Sequence, residues 1–208
     1  MSDKKQSSAS LVQIKPTKNP LNQLIRNQFG TFKGLVRLFL ANIEKYLGRL
    51  NQYKVNDKEL ATYKRLVFVC QGNICRSAYA DFKAKTLNLP AVSIGLATST
   101  GQPAFQLTQT TAKKHGLDLT THRSTDIHDF DIQVGDLFLV MEIRQAKKLE
   151  AMNLPANTGI VLLGFWTSPL RIHIHDPFEL EENYFDRCFS VIDNSIENLA
   201  KSWKKSHL

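Results

Sequence analysis

The residues with the clearest chemical meaning form a short loop that begins at a cysteine and ends at an arginine and a serine. The loop reads Cys70-Gln71-Gly72-Asn73-Ile74-Cys75-Arg76-Ser77. A cysteine, five residues and an arginine allow a loop to curl around one tetrahedral anion, with its backbone N–H groups pointing inward. Gly72 permits backbone conformations that a side chain would block, and Arg76 offers a rigid fork to two phosphate oxygens. The spacing therefore predicts a phosphate-binding loop in which Cys70 is a thiolate nucleophile.

The elements around this loop alternate between short strands and helices. Leu66-Val67-Phe68-Val69 is an apolar run that contains β-branched residues and leads directly into Cys70. The other predicted elements are a helix at 77–87, strands at 92–95, 136–141 and 160–163, and helices at 106–115, 144–152 and 180–203. Near-continuous apolar strands that alternate with helices predict an α/β fold, an open four-stranded parallel sheet with helices on both faces. Such sheets place their ligand sites at the carboxyl ends of strands.

The chain before this domain has a different composition. Residues 1–20 are polar, basic and rich in Ser and Lys, which is typical of a disordered tail. From Phe32 to Leu50 apolar residues recur at spacings of three and four, which predicts an amphipathic helix. Residues 51–64 resemble a polar linker. We therefore divide the chain into a disordered basic tail at 1–20, a helical extension with a linker at 21–64, and a catalytic domain at 65–208.

The net charge of +8 belongs to the extension and not to the domain. Residues 1–65 hold 13 Lys and Arg against 4 Asp and Glu, whereas residues 66–208 hold 14 against 15. The basic segment is either a solvated appendage or a surface for an anionic partner. The apolar helix face is covered by the body, by a second copy, or by an anionic membrane surface that binds residues 21–50. No recognised nucleic-acid-binding fold is present, so no nucleic acid is expected.

Cysteine usage and hydropathy narrow the class of protein further. Three cysteines do not make a disulfide framework and indicate a reducing compartment. No histidines stand beside cysteines at zinc-ligand spacing, and we expect neither a metal nor another cofactor. The sequence has no uncharged apolar run of about 18 residues and no secretory signal. These features predict a cytoplasmic protein, peripheral at the membrane if the extension binds lipid.

The segment VFVCQGNICRSAYAD, residues 67–81, resembles the signature of the low-molecular-weight protein-tyrosine-phosphatase family. Further segments are similar to that family at Ser93-Ile94-Gly95, Gly116–Arg123, Leu139–Glu142 and Asp176-Pro177-Phe178. The resemblance covers roughly residues 65–203 and leaves the extension unexplained. It implies the family's four-stranded parallel sheet and metal-independent hydrolysis of phosphotyrosine, so that residues 65–208 form a phosphatase domain.

The resemblance implies a catalytic role for three residues. Cys70 attacks phosphorus and forms a phosphocysteine, while Arg76 and the loop amides hold the phosphate oxygens. Asp176 protonates the leaving phenolate and then acts as the base toward water. Ser77 donates a hydrogen bond to the Cys70 sulfur, and Asn73 organises the loop.

The expected phosphate-binding and substrate-binding positions are Gln71, Gly72, Asn73, Ile74, Cys75, Ser77 and Phe178. Ser93 and His122 are expected behind Asn73. Phe178 is the one aromatic wall that matches the family, since residues 96–101 contain none. Ile74 stands where family members that act on phosphoarginine tend to have Thr, which favours phosphotyrosine. The implied partner is a phosphotyrosine-containing protein. In bacteria, relatives often oppose a tyrosine kinase that controls surface polysaccharide export.

Some readings remain open at this stage. An arsenate reductase on the same scaffold needs resolving thiols, and only Cys75 and Cys188 are available for that role. Cys75 either forms a reversible disulfide with Cys70, as in the family, or packs the loop as a small buried side chain. Cys188 lies on the apolar face of the last helix, which favours the core. His173 and His175 alternate beside Asp176, where they either tune the acid or form a metal pair.

Overall fold

The computed structural model describes residues 19–208, in which four parallel strands form one sheet. The strands are β1 (Arg65–Cys70), β2 (Ala91–Gly95), β3 (Asp136–Val140) and β4 (Gly159–Leu162). Their order is β2-β1-β3-β4, and Val67 of β1 lies between Val92 of β2 and Phe138 of β3. The winding direction reverses between β1 and β3. The carboxyl ends of these two strands therefore border the crevice in which open α/β sheets bind ligands.

Helices precede the sheet and connect its strands. They are α1 (Pro20–Phe29), α2 (Phe32–Tyr46), α3 (Asp57–Leu60), α4 (Arg76–Thr86), α5 (Gln106–Lys114), α6 (Ile143–Glu150) and α7 (Glu182–Ser206). From residue 65 onward, every predicted strand and helix is present, with boundaries within three residues of the prediction. The predicted fold class and the helical extension in front of it are confirmed.

The side chains of β1 alternate between two cores, one on each face of the sheet. Phe68 and Cys70 belong to the core beneath α4 and α7. Val67 and Val69 belong to the second core, beneath α6. Because both faces of β1 are covered, the strand is apolar along its whole buried length, as expected for a central parallel strand.

The N-terminal extension completes the second core. Ala41, Leu50 and Tyr53 are buried in it beside the strands. Residues 51–64 form a 3-10 turn at Asn51–Tyr53 and the short helix α3, whose Leu60 is buried in the first core. This segment is therefore packed against the body and is not the free polar linker that its composition suggests.

Helix α2 buries its small residues against the body and exposes most of its large apolar residues. Within α2 the buried residues are Gly34 and Ala41. The exposed apolar residues, which we call the outer face of α2, are Phe32, Val36, Phe39, Leu40, Ile43, Tyr46 and Leu47, the last just beyond the helix. The body thus covers only the narrow face of this amphipathic helix.

The prediction of a disordered tail at 1–20 concerns residues outside the described range, apart from Asn19 and Pro20. Asn19 caps α1, because its side chain accepts a hydrogen bond from the N–H group of Leu21. Across residues 19–208, none of the helices combines the length and the apolar character that crossing a membrane requires.

Candidate active site

The loop from Cys70 to Ser77 connects the end of β1 to the first turn of α4. The sulfur of Cys70 lies 3.0 Å from Oγ of Ser77 and accepts a hydrogen bond from the N–H group of Asn73 at 3.2 Å. Helix α4 begins at Arg76, so its unpaired N-terminal N–H groups and the positive end of its dipole face the loop. This arrangement favours an anion bound beside the sulfur.

Asn73 organises the loop from its centre. It adopts a left-handed backbone conformation with φ of 50°, which asparagine tolerates better than most residues. Its Nδ2 donates to Oγ of Ser77 at 2.9 Å, and its Oδ1 accepts from the N–H group of Thr125 at 2.9 Å. Gly72, expected to carry the unusual conformation, has no left-handed φ, and a Cβ there would make only ordinary contact with Ile74 at 3.4 Å.

Of the two residues expected behind Asn73, His122 is hydrogen-bonded to it and Ser93 is hydrogen-bonded elsewhere. Nε2 of His122 donates to the carbonyl oxygen of Asn73 at 2.6 Å. Burial lowers the pKa of His122, so the ring is neutral and this tautomer is fixed by the acceptor. Ser93 instead approaches Oδ2 of Asp81 at 3.4 Å. Gly95 is the residue that permits the close approach, because a Cβ there would lie 3.1 Å from the backbone nitrogen of Asn73.

Arg76 is fully buried and is held on one side by Glu142, the residue two positions after β3. Its Nη1 donates to Oε1 of Glu142 at 2.6 Å and to the carbonyl oxygen of Ile174 at 2.9 Å. Arg144 donates to both oxygens of Glu142, at 2.7 and 3.0 Å. Burial acts to raise the pKa of Glu142, yet Arg76 and Arg144 outweigh it and hold that pKa at about 2.

The opposite edge of the Arg76 guanidinium faces Asp176. Among the described residues, neither Nε nor Nη2 has a hydrogen-bond partner. Nη2 lies 2.6 Å from Oδ2 of Asp176, a contact that is an ion pair without hydrogen-bond alignment. Burial opposes the charge on Arg76, but Asp176 and Glu142 outweigh it and raise the pKa of the guanidinium. A buried, permanently charged fork with one edge free of hydrogen bonds fits two oxygens of a bound phosphate, which would take the place of the Asp176 carboxylate.

Asp176 reaches Arg76 from residues 173–181, which we call the acid loop. The loop is tied to the end of β3, because the N–H group of Ile174 donates to the carbonyl oxygen of Met141 at 3.0 Å. Oδ1 of Asp176 accepts from the N–H group of Phe178 at 3.3 Å. The structure thus brings Cys70, Arg76 and Asp176 to one place, although Asp176 follows Arg76 by 100 residues.

Two aromatic rings form a wall beside the loop. Phe178, which is exposed, meets Phe105 edge to face, with ring centroids 5.1 Å apart. Phe105 precedes α5 and its N–H group donates to the carbonyl oxygen of Ile74 in the loop at 3.0 Å. The sequence reading found Phe178 but missed Phe105, because nothing in the local pattern around residue 105 indicates contact with residue 178.

The remaining rim of the loop is made by Gln71. Its carbonyl oxygen accepts from the N–H group of Ala97 at 3.0 Å, and its Oε1 lies 3.4 Å from Nζ of Lys148.

Cys75 and Cys188 are both buried and free. Burial raises the pKa of Cys75, and it raises the pKa of Cys188 to about 12. Both thiols therefore stay protonated near neutral pH.

His173 and His175 lie with their ring centroids 5.7 Å apart and are both buried. Burial lowers the pKa of each ring to about 4, so both are neutral at pH 7. In residues 19–208 no cluster of three or more His, Cys, Asp or Glu side chains is arranged to hold a metal ion.

This combination of a buried arginine fork, a cysteine in an N–H-lined loop and a carboxylate across from both defines a phosphate-processing cysteine enzyme. Comparison with known proteins makes the class specific. The family described as low molecular weight phosphotyrosine protein phosphatase matches residues 65–207. The chain therefore belongs to the low-molecular-weight protein-tyrosine-phosphatase family, a family of metal-independent phosphatases.

The chain is similar to low molecular weight protein-tyrosine-phosphatase Ptp of Acinetobacter johnsonii, with 28% identity over 142 residues. That alignment covers 67% of this chain and 97% of the relative. The solved structure of Wzb from Vibrio vulnificus in complex with benzylphosphonate superposes with a TM-score of 0.56 at 25% identity, covering 67% of this chain and 98% of that one. Arsenate reduction is not favoured by these similarities.

A third similarity extends to the fold alone. The YwlE arginine phosphatase from Geobacillus stearothermophilus superposes with a TM-score of 0.57 at 24% identity, covering 68% of this chain and 93% of that one. The same scaffold thus carries phosphatases with different leaving groups. The family match begins at residue 65, so the helices α1 and α2 lie outside it.

Proposed function

We propose that this phosphatase hydrolyses phosphotyrosine in proteins through a phosphocysteine on Cys70. The observation that carries the proposal is the Nε–Nη2 edge of the buried Arg76, which makes no hydrogen bond within residues 19–208 and is ion-paired with Asp176. A phosphate held on this edge replaces Asp176 as the partner of the guanidinium. The carboxyl group is then free to face the oxygen that leaves.

The mechanism has two steps, and Asp176 acts in both. The Cys70 thiolate attacks phosphorus, the P–O bond to the aryl oxygen breaks, and that oxygen takes a proton from Asp176. Water then attacks the phosphocysteine and gives its proton to Asp176, while the sulfur leaves as a thiolate. Ser77, whose Oγ lies 3.0 Å from the sulfur, stabilises that thiolate. Arg76 and the N–H groups of the loop hold the phosphate oxygens throughout.

The substrate assignment rests on the aromatic wall and on the relatives. The edge-to-face pair of Phe178 and Phe105 offers apolar surface to an aryl group. Ptp carries protein-tyrosine-phosphatase in its name, and Wzb binds benzylphosphonate, a phosphonate that carries a phenyl ring. The proposed partner is a phosphotyrosine-containing protein, with a bacterial tyrosine kinase as the candidate that the resemblance implies.

The test is the hydrolysis of p-nitrophenyl phosphate and of a phosphotyrosine peptide without added metal. We expect Cys70→Ser to abolish turnover and Asp176→Asn to lower kcat about 10² to 10⁴-fold. Asp118→Asn, a change of an exposed carboxylate, is the matched control and should behave as the wild type. A folded, reduced wild type that hydrolyses neither substrate would overturn the proposal. A serine or arginine phosphopeptide that is hydrolysed faster would overturn the substrate assignment.

We also propose that the outer face of α2 binds an anionic membrane surface. Residues 20–50 carry five Lys and Arg and one Glu, and Phe39 on the outer face is 63% exposed. Large apolar side chains flanked by basic ones are typical of helices that lie in a lipid interface. A second copy would cover the apolar face but would bring the same basic residues together, which favours the membrane.

Vesicle sedimentation of the full chain tests this surface. We expect binding to phosphatidylcholine vesicles that contain phosphatidylglycerol, weaker binding at high salt, and little binding to phosphatidylcholine alone. The double change Phe39→Glu and Leu40→Glu should abolish binding, whereas Val134→Glu, at an exposed apolar residue elsewhere, should not. Equal binding to neutral vesicles would contradict the proposal. So would a dimer that the Phe39 and Leu40 changes dissociate.

A further inference from the structure

The turn between α1 and α2 lies directly on the acid loop. Oγ1 of Thr31 is hydrogen-bonded to Nε2 of His175 at 3.0 Å. His175 is the residue before Asp176, so this bond joins the extension to the backbone that carries the proposed general acid. Thr31 lies outside the part of the chain that the phosphatase family matches.

Two glycines make this close approach possible. A Cβ at Gly30 would lie 2.9 Å from the imidazole of His175, and Gly30 also has a left-handed φ of 76°. A Cβ at Gly34 would lie 2.9 Å from the same ring and 2.2 Å from the carbonyl oxygen of Phe29. Side chains at either position would therefore push the turn away from the acid loop.

Further contacts hold α1 beside both ends of the acid loop. At the last residue of the loop, Glu181 forms an ion pair with Arg26 at 2.9 Å. Before the loop, the guanidinium of Arg171 donates to the carbonyl oxygen of Gln28 and lies over the ring of Phe29 at 5.3 Å. Such surface contacts are individually weak, but together they keep the turn in register with His175.

The other side of His175 is also held. Its carbonyl oxygen accepts from the hydroxyl group of Tyr184 at 3.3 Å, and the thiol of Cys188 lies 3.8 Å from the same oxygen. The imidazole is thus fixed by α2 while the backbone is fixed by α7. Because Asp176 follows this fixed residue directly, a shift of His175 displaces the carboxyl group as well.

We propose that the α1–α2 turn is a positioning element for the general acid, in which Thr31 holds His175 and thereby Asp176. This inference rests on the proposed role of Asp176. Thr31 is a positioning residue that does not touch substrate. Its loss should impair protonation of the leaving group and spare the attack of Cys70, because Thr31 is hydrogen-bonded to His175 and Gly34.

Substrates with different leaving groups separate these two effects. Phenyl phosphate needs a proton on its leaving oxygen, whereas 2,4-dinitrophenyl phosphate leaves without one. In the full chain we expect Thr31→Val to lower kcat/KM for phenyl phosphate about tenfold and to leave the dinitrophenyl ester nearly unchanged. Thr31→Ser keeps the hydroxyl group and should restore the wild-type value. An equal loss for both esters, or no loss for either, would overturn the proposal.

A second variant separates positioning from helix capping, because Oγ1 of Thr31 also accepts from the N–H group of Gly34 at 2.9 Å and caps α2. His175→Leu removes the same hydrogen bond and leaves the cap intact. It should show the same selective loss, and the double variant should lose no more than either single one. Additive losses would contradict a shared bond.

Asp176→Asn distinguishes a failure of this inference from a failure of the proposed mechanism. If Asp176→Asn lowers kcat/KM, which reports formation of the phosphocysteine, equally for both esters, the role of Asp176 as the acid is wrong, and the inference falls with it. If Asp176→Asn is selective for phenyl phosphate but Thr31→Val is not, only the role of Thr31 is wrong. In the Asp176→Asn background, Thr31→Val should have no further selective effect.

Discussion

Glu142 and Arg76 form a fully buried ion pair, with 2.6 Å between Oε1 and Nη1. The pair stands at the carboxyl end of β3, where the winding of the sheet reverses. It directs one edge of the guanidinium to the protein and leaves the other edge for an anion. The fold thus orients Arg76, the residue proposed to bind phosphate, through Glu142, which pairs with the opposite edge of the guanidinium.

We expect Glu142→Ala to lower the free energy of unfolding by about 3 kcal/mol, because it leaves Arg76 charged and less well paired in the interior. Glu142→Gln should cost less, since its amide oxygen still accepts from Nη1. Urea unfolding measures both. Glu197→Ala, which removes an exposed partner of Lys83, is the control and should cost below about 1 kcal/mol. Equal effects at positions 142 and 197 would refute this account.

The buried histidines beside Asp176 make stability depend on pH. Burial lowers the pKa of His173 and of His175 from 6.5 to about 4. As the pH falls through this range, the unfolded chain binds protons on both rings before the folded chain does. Stability is therefore full above about pH 6.5 and decreases toward about pH 4. The difference in the free energy of unfolding is worth about 3 kcal/mol per histidine. The two rings are neighbours, so their combined effect is less than twice this value.

Urea unfolding at about pH 7.5 and about pH 5 checks this pH dependence. His175→Gln should reduce the difference between the two free energies of unfolding, whatever its effect at a single pH. His128→Gln changes an exposed histidine and should leave the difference as in the wild type. A wild type with the same stability at both pH values would show that the two rings are not buried in neutral form.

The aromatic wall predicts a selective effect on substrate binding. Phe178→Ala removes one ring of the edge-to-face pair with Phe105. We expect KM for aryl phosphates to rise about 3- to 10-fold, because such contacts are worth about 1 kcal/mol, while KM for alkyl phosphates changes little. Steady-state kinetics with both substrate classes measure the ratio, with Val134→Ala as the control at an exposed apolar site. An equal rise for alkyl phosphates would contradict an aryl-binding wall.

Much of the fold and the anion-binding loop can be predicted from the sequence, because their signals lie within short segments of the chain. The apolar run before Cys70 identifies β1, and the spacing from Cys70 to Arg76 identifies the anion-binding loop. The contacts of Glu142 and Thr31 were not predicted. Glu142 lies 66 positions from its partner Arg76, and Thr31 lies 144 positions from its partner His175. Neither Glu142 nor Thr31 belongs to a periodic pattern that would indicate its partner.

The orientation of α2 was also beyond the sequence pattern. An amphipathic period predicts that the wide face of large apolar residues is covered. The structure places Gly34 and Ala41 against the body instead. At Gly34 only a residue without a side chain allows the helix backbone to approach His175 so closely, and Ala41 packs in the second core. Composition suggested a linker at 51–64, since Tyr53 and Leu60 are isolated among polar residues, yet both are buried.

The burial of residues just after α2 predicts that the extension stabilises the phosphatase domain. Leu50 is 2% exposed and belongs to the second core, whereas Leu47 is 56% exposed. We expect Leu50→Ala to lower the free energy of unfolding by about 2 to 4 kcal/mol, because it leaves a cavity, and Leu47→Ala to change it by less than about 0.5 kcal/mol. Urea unfolding that is followed by tryptophan fluorescence reports on the domain itself, because Trp166 and Trp203 both lie in it. If Leu50→Ala leaves that transition unchanged, the extension is an independent appendage. A single shifted transition shows that it unfolds with the domain.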